Sequence, residues 1–173
     1  DGFLGWPTAL NQSAKGNEVL IVDNYFRRNT SDEYKVNTLY DIPKLDERVK
    51  IWKQLKNKSI QVEIGDICDY EFLLNCVKHF KPDVIIHYAE QPSAPFSMMG
   101  HKEASFTLKN NLMGTLNLIF AVKEIDINIH IVKLGTMGEY GTPNIDIEEG
   151  YLQVEHKGRN DKFLFPRQAG SLY

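Results

Sequence analysis

A threonine hydroxyl beyond an apolar run is the first group in this chain placed to do chemistry. Ile129, Ile131, Val132 and Leu134 read as a strand that breaks at Gly135 into a polar, glycine-punctuated loop holding Thr136. Ligands of open α/β sheets collect beyond the carboxyl ends of the strands, so Thr136 is placed to meet one. Alone, the stretch also reads as a strand entering an ordinary turn. A second constellation lies at the start. Gly2 and Gly5, followed by Trp6 to Ser13, read as the tail of a glycine-rich turn opening a helix. Residues 18–24, Glu-Val-Leu-Ile-Val-Asp-Asn, read as a short buried strand ending in a carboxylate. Gly2 and Asp23 are 21 positions apart. That is the spacing at which helix N-terminal amides hold a pyrophosphate and an acid holds ribose hydroxyls. The carboxylate of Asp23 disfavours a 2′-phosphate, which favours NAD over NADP. Arg27 and Arg28 could counter it, but read better as flanking the adenosine or facing solvent.

Further groups converge on the same crevice. Ile60, Val62 and Ile64 alternate as a strand ending at Gly65-Asp66-Ile67-Cys68-Asp69. Asp66 there can accept from an adenine amino group, and Asp69 suits the N-cap of a helix over 70–80. Phe72, Leu73, Cys76, Val77 and Phe80 give that helix its buried face. Residues 84–89 form another buried strand, in which His87 reads as a satisfied structural histidine. The loop over 90–96, with Gln91, leaves its carboxyl end. A long helical pattern follows, about 101–125, with Asn110 and Asn111 in its middle. Asparagine usually costs helix stability, so two together predict a local backbone or water contact.

The elements that must position these groups alternate, strand and helix, which predicts a doubly wound parallel sheet. Residues 29–58 are polar and read as an insertion. Within it Leu45, Val49, Trp52 and Leu55 recur at helical spacing, predicting a helix over about 45–56 that packs on the sheet edge. Residues 151–156 and 161–165, around a Lys-Gly-Arg-Asn turn, read as a β-hairpin insertion over about 151–165. The chain is 173 residues long, which suits one domain. A net charge of −3 without a basic block argues against nucleic acid and anionic membrane as partners. The longest clean apolar run, over 118–122, is far too short to span a bilayer. The only two cysteines, Cys68 and Cys76, match no metal or redox spacing and read as free thiols in a reducing compartment. No metal site is expected. The chain opens Asp-Gly-Phe-Leu-Gly and stops at Tyr173, so it reads as truncated at both ends. The first strand of the sheet is expected before residue 1, between the strands ending at Asp23 and Ala89. Without it two inner edges would lie unpaired, and the piece alone is expected to be unstable and inert.

Gly2 and Gly5, Asp23, Gly65-Asp66, His87-Tyr-Ala and Asn111-Leu-Met-Gly-Thr-Leu-Asn117 together resemble the extended short-chain dehydrogenase/reductases, the NAD-dependent epimerase/dehydratase family. Within it, Leu134-Gly-Thr-Met-Gly-Glu-Tyr-Gly-Thr-Pro-Asn-Ile-Asp-Ile-Glu-Glu-Gly150 resembles the signature of the UDP-sulfoquinovose synthase family. Asp23-Asn24, Ser93-Ala-Pro95 and the hairpin match as well, so the likeness covers essentially the whole chain. It implies a partial Rossmann-like NAD-binding domain over 1–173, with the C-terminal sugar-nucleotide-binding part absent. It implies UDP-glucose and sulfite as substrates, oxidation at C4, loss of water across C5 and C6, sulfite addition at C6, and reduction at C4. Thr136 and Tyr173 would be catalytic, the phenol acting as base with help from a lysine four residues further on. Gly2, Gly5, Asp23, Asn24, Arg27, Asp66, Ile67 and Asn110 would contact NAD. Gln91, Thr136, Met137, Gly138 and Glu139 would contact the sugar. Pro92 stands where many photosynthetic members carry a substrate-contacting Arg. The likeness also implies a homodimer through the helix over 101–125, in the cytoplasm or, in a plant or alga, the plastid stroma. A 4-epimerase, a 4,6-dehydratase and a non-catalytic NAD-binding regulator are the alternatives. The dehydratase lacks support because Met137 and Gly138 replace the acidic pair expected after the threonine.

Overall fold

The computed structural model describes residues 1–136 and 150–165. A first helix, α1 (Gly5–Ala14), precedes strand β1 (Leu20–Asp23). Helices α2 (Phe26–Glu33) and α3 (Leu45–Lys56) lead to β2 (Gln61–Ile64), and α4 (Tyr70–Phe80) leads to β3 (Val84–His87). A single short turn, α5 (Ala94–Ser97), then opens a long helical segment. That segment consists of α6 (His101–Leu108), a π-helical turn at Lys109–Met113, and α7 (Gly114–Ile125). Strand β4 (His130–Lys133) follows, and β5 (Gly150–His156) pairs antiparallel with β6 (Arg159–Phe165). The strand–helix alternation, the helix over 45–56, the capped helix over 70–80 and the hairpin are all present as read.

The four short strands form two parallel pairs, β1 with β2 and β3 with β4. Among the described residues, the two pairs share no ladder hydrogen bonds with each other. The core gathers where α4 and α7 pack together against the second pair. Leu73 and Val77 of α4 pack on Leu118, Ala121 and Val122 of α7 and on Ile129, with Ile85 and Ile131 of the strands against them. Sequence chemistry sets the ends of α4. Asp69 caps it, its carboxylate accepting from the Phe72 amide at 3.1 Å. Glu71 lies in the first turn and Lys78 in the last, each sign opposite to the partial charge at that end. Lys81 then turns left-handed at φ 50°, and Pro82 prevents the helix resuming.

Two features differ from the sequence reading. Residues 29–33, the start of the polar stretch read as an insertion over 29–58, belong to a helix over 26–33: the Asn24 side-chain carbonyl accepts from the Phe26 amide at 2.9 Å and starts a turn that apolar periodicity did not mark. In α3 the apolar stripe ends early, since Leu45 is buried but Leu55 is 71% exposed. The helix leans on α1, where the Trp52 ring nitrogen donates to Ser13 Oγ at 3.1 Å and the Arg48 guanidinium lies 4.2 Å from the centre of the Trp6 ring.

The helix over 101–125 runs on without a cap at the π turn, and the turn explains its two asparagines. Successive residues of an α-helix point about 100° apart. Opening one turn lets Asn110 and Asn111 both face inward, where each is buried. Just beyond it, Gly114 lets α7 approach the loop after β2. A Cβ on Gly114 would lie 2.2 Å from Ile67 Cδ1 and 2.8 Å from its Cγ1. One helical turn later Asn117 donates to the Ile67 carbonyl at 2.9 Å. Gly114→Ala should therefore destabilise the full-length protein by about 1–3 kcal/mol through overpacking, read as a lower denaturant midpoint. An unchanged midpoint would mean Ile67 can move aside freely.

Candidate functional site

The carboxyl ends of β1 and β2 and the start of α1 place the first cluster. Asp23 Oδ1 accepts from the Tyr25 amide at 2.7 Å. Asn24 donates through Nδ2 to Asp66 Oδ2 at 3.2 Å, while Asp66 Oδ1 accepts from the Cys68 amide at 2.8 Å. Each loop thus folds on its own acidic or amide side chain, as Asp and Asn do where a strand releases its backbone. The cross-link Asn24–Asp66 brings the two strand ends together. Gly2 and Gly5 flank the start of α1. Neither has the positive φ that would require glycine, and a Cβ on either would meet no heavy atom within 4 Å. Neither backbone strain nor packing within the described chain calls for glycine there. An open turn of bare backbone beside a helix N-terminus fits a pyrophosphate, and a half-buried carboxylate beyond β1 fits ribose hydroxyls. The residues present therefore fit NAD.

Both arginines lie nearby but differ in role. Arg28 is taken up by the Asp1 carboxylate at 2.5 Å and by the carbonyls of Ile42 and Pro43. Arg27 is exposed. Ile67 is half-buried against Gly114, its carbonyl held by Asn117.

The second cluster lies at the carboxyl end of β3. Asn110 Nδ2 donates to the Ala89 carbonyl at 3.2 Å and to Asn111 Oδ1 at 2.9 Å. Asn111 grips the backbone of Gln91 from both sides: its Oδ1 accepts from the Gln91 amide at 2.9 Å, and its Nδ2 donates to the Gln91 carbonyl at 3.1 Å. Gln91 is itself buried, its side-chain Nε2 donating to Thr107 Oγ1 at 2.8 Å and to the Ser93 carbonyl at 3.1 Å. The structure thus brings Gln91 and Asn110 together in one network and turns the Gln91 side chain into the protein. Thr107 and Asn111 complete that network. Asn111 was signalled by its place beside Asn110, whereas nothing in the sequence marks Thr107.

His87 is buried beneath this loop, with Nε2 3.2 Å from Thr115 Oγ1 and 3.6 Å from Glu90 Oε1. Glu90 in turn pairs with Lys133 at 2.6 Å. Burial depresses the His87 pKa, partly offset by Glu90. The folded protein therefore holds a neutral imidazole, as expected of a structural histidine. The stability this contributes is full above the unfolded pKa of about 6.5 and is lost as pH falls toward the lower folded value. His87→Gln should shrink the gap between denaturant midpoints measured at about pH 7.5 and about pH 5. An equal gap in variant and parent would show that other groups drive acid destabilisation. Both cysteines are free. Burial raises their pKa values, with Asp66 adding at Cys68 and Glu63 at Cys76, which makes neither a ready nucleophile.

Thr136 lies half-buried three residues past the end of β4, at the same edge as the other strand ends. Met137, Gly138, Glu139 and Tyr173 lie outside the described residues. No described helix is long and apolar enough to cross a membrane.

A doubly wound α/β domain with its polar groups gathered at the carboxyl ends of parallel strands is the architecture of a nucleotide-cofactor-binding protein. Residues 1–154 match the family described as GDP-mannose 4,6 dehydratase, and the chain belongs to that family of epimerases and dehydratases. It is 48% identical over 173 residues to the chloroplastic UDP-sulfoquinovose synthase of Spinacia oleracea, covering 100% of this chain and 36% of that protein. It is 45% identical over 174 residues to the UDP-sulfoquinovose synthase of Sulfolobus acidocaldarius, covering 100% of this chain and 44% of the relative. The chain therefore spans less than half the length of these relatives. Among solved structures, a UDP-glucose 4-epimerase from Bifidobacterium longum in complex with NAD+ and UDP superposes with a TM-score of 0.62 at 20% identity, over 94% of this chain and 40% of that one. That likeness confirms the Rossmann-type fold.

Proposed function

We propose that the protein to which this chain belongs is a UDP-sulfoquinovose synthase, using NAD to make UDP-sulfoquinovose from UDP-glucose and sulfite. The observation that carries this reading is the similarity of all 173 residues to two synthases so named, one from a plant and one from an archaeon. The geometry is compatible with it. Gly2, Gly5, Asp23, Asn24 and Asp66 would hold the dinucleotide, with Arg27 and Ile67 at its margin. Gln91 and Asn110 would act as supports for the loop after β3. When bound, NAD would supply a hydride acceptor and later return the hydride.

Tyr173 would take the proton of the C4 hydroxyl, and Thr136 would hold that hydroxyl by a hydrogen bond. A ketone at C4 acidifies the hydrogen on C5, so the C6 hydroxyl can leave as water and give an alkene conjugated to the carbonyl. Sulfite adds through sulfur at C6, a proton returns to C5, and reduction at C4 restores the alcohol. The balance is UDP-glucose plus sulfite plus one proton to UDP-sulfoquinovose plus water. Met137, Gly138 and Glu139 would line the sugar beside Thr136. Leu112, Met113, Leu116, Ile119 and Phe120 leave an exposed apolar face on the long helix, which supports a homodimer joined through it. The enzyme would work in the cytoplasm, or in the plastid stroma of a plant or alga.

The deciding experiment incubates the purified full-length protein with UDP-glucose, with and without sulfite, and follows the sugar nucleotide by mass spectrometry. A sulfite-dependent UDP-sulfoquinovose mass is expected. Loss of water without sulfite would make it a 4,6-dehydratase, and a product isomer of unchanged mass a 4-epimerase. No turnover with NAD still bound would favour a non-catalytic regulator.

A further inference from the structure

Strands β3 and β4 end side by side, and one ion pair joins the loops that follow them. His87 and Lys133, the last residues of the two strands, stand opposite each other in the ladder. Opposite residues project to the same face of a sheet, so Lys133 reaches toward whatever the chain places beyond His87. Glu90 meets it there. The chain after β3 folds back on itself, the Glu90 amide donating to the Tyr88 carbonyl at 2.9 Å. The Glu90 carboxylate then lies 2.6 Å from Lys133 Nζ and 3.6 Å from His87 Nε2. The same ammonium donates to the Leu134 carbonyl at 3.3 Å, two residues before Thr136. Glu90 is fixed from both sides: His87 beneath it is buried beside Thr115 of α7, and Asn111 grips the backbone of Gln91 next to it. Lys133 thus ties the start of the Thr136 loop to a point anchored on the long helix. An ion pair whose partners both reach solvent contributes little to stability. What this one governs is position.

We propose that the Lys133–Glu90 ion pair sets the placement of Thr136 against the sugar by fastening the loop after β4 to the loop after β3. Both are positioning residues, acting through the backbone between Lys133 and Thr136. A threonine on a looser loop still admits the sugar nucleotide but aligns its C4 hydroxyl less often for proton removal, so the loss falls on kcat rather than KM. The inference rests on the reading that Thr136 holds the C4 hydroxyl.

The test measures turnover of UDP-glucose and sulfite by the full-length protein, together with amide hydrogen exchange over residues 130–136. Lys133→Met and Glu90→Gln should each lower kcat about three- to tenfold, within the range that one intramolecular hydrogen bond contributes. KM for UDP-glucose should stay within about twofold of the parent, and exchange over 130–136 should quicken. Lys133→Arg keeps a cationic donor and should recover kcat to within about twofold. The double variant Lys133→Met with Glu90→Gln should lose no more than the larger single loss, because either change already breaks the pair. Lys50→Met is the matched control: it removes the ion pair of Lys50 with Asp46 on the exposed face of α3 and should change neither readout. Parent kcat and parent exchange in both single variants would overturn the proposal. So would losses that add in the double variant, a rise in KM without a fall in kcat, or an equal loss in the control. If Lys133→Met does not fold, Glu90→Gln decides alone, since it preserves the side chain's shape. A parent protein that makes no UDP-sulfoquinovose would overturn the functional reading instead, and exchange over 130–136 would then decide whether the pair fastens the loop.

Discussion

Tyr173→Phe in the full-length protein should lower sulfite-dependent turnover of UDP-glucose by about 10²–10⁴-fold while leaving NAD content and melting behaviour unchanged. The phenol is the only group assigned to remove the C4 proton, and without that removal the C4 carbonyl does not form. Every later step depends on that carbonyl, because only it acidifies C5 enough for water to leave. Phenylalanine keeps the ring but removes the titrating oxygen. A phenol titrates near pH 10 in water, so at neutral pH it needs a nearby cation, and the lysine expected four residues further on would provide one. The alkaline rise of kcat/KM should therefore fall well below pH 10 in the parent and vanish in the variant. Turnover within tenfold of the parent would remove Tyr173 from the mechanism. Thr136→Val should cost less, about 10-fold, because it removes one hydrogen bond and leaves the base in place. The ordering of the two losses separates a proton acceptor from a substrate anchor.

Much of this arrangement was legible in the residues because local chemistry and fold agree. Asp69 before an apolar period announced a capped helix, and the strands could be read from Val, Ile and Leu runs ending at Asp23, Gly65 and Ala89. The doublet Asn110-Asn111 announced a backbone contact, and the π turn supplies it with the carbonyls of Ala89 and Gln91. Less legible was anything set by tertiary contact. α2 carries no apolar stripe toward a core, and its reason for being helical lies in Asn24 and in aromatic rings some 70 to 80 residues away. Leu55 fits a helical period that the fold does not use at its end: α3 meets β2 as expected and is tied to α1 through Trp52 and Arg48, but Leu55 is left exposed. Gln91 reads as a loop side chain facing a ligand until Thr107 is seen to claim it. The Glu90–Lys133 pair beside His87 depends on the register His87↔Lys133 of β3 and β4, which no local pattern specifies.

Asn111→Ala should destabilise the full-length protein by about 2–4 kcal/mol. The side chain is buried and satisfies three groups at once: the Gln91 amide, the Gln91 carbonyl and the Asn110 amide. Truncation leaves all three without this partner in a place of low dielectric, and an unmet buried group costs about 1–3 kcal/mol. The full sum is not reached, since the space vacated by the amide can admit a water that restores some bonds. Asn111→Asp tests the geometry further, because a carboxylate still accepts from the Gln91 amide but faces the Gln91 carbonyl without a proton to offer. It should be at least as damaging as alanine near neutral pH and should recover somewhat as the carboxylate protonates in acid. Asn128→Ala, whose amide serves only an exposed turn at Asp126, should change stability by no more than about 0.5 kcal/mol. Denaturant midpoints for the three variants settle the matter, and an Asn111→Ala midpoint equal to that of Asn128→Ala would show that the π turn holds its shape without the side chain. If the turn does depend on it, the Gln91–Ser93 loop loses its anchor with the same substitution. The KM for UDP-glucose should then rise in those molecules that still fold, whereas Gly114→Ala, which crowds Ile67 in the loop after β2 rather than the Gln91 loop, should lower the midpoint without raising KM.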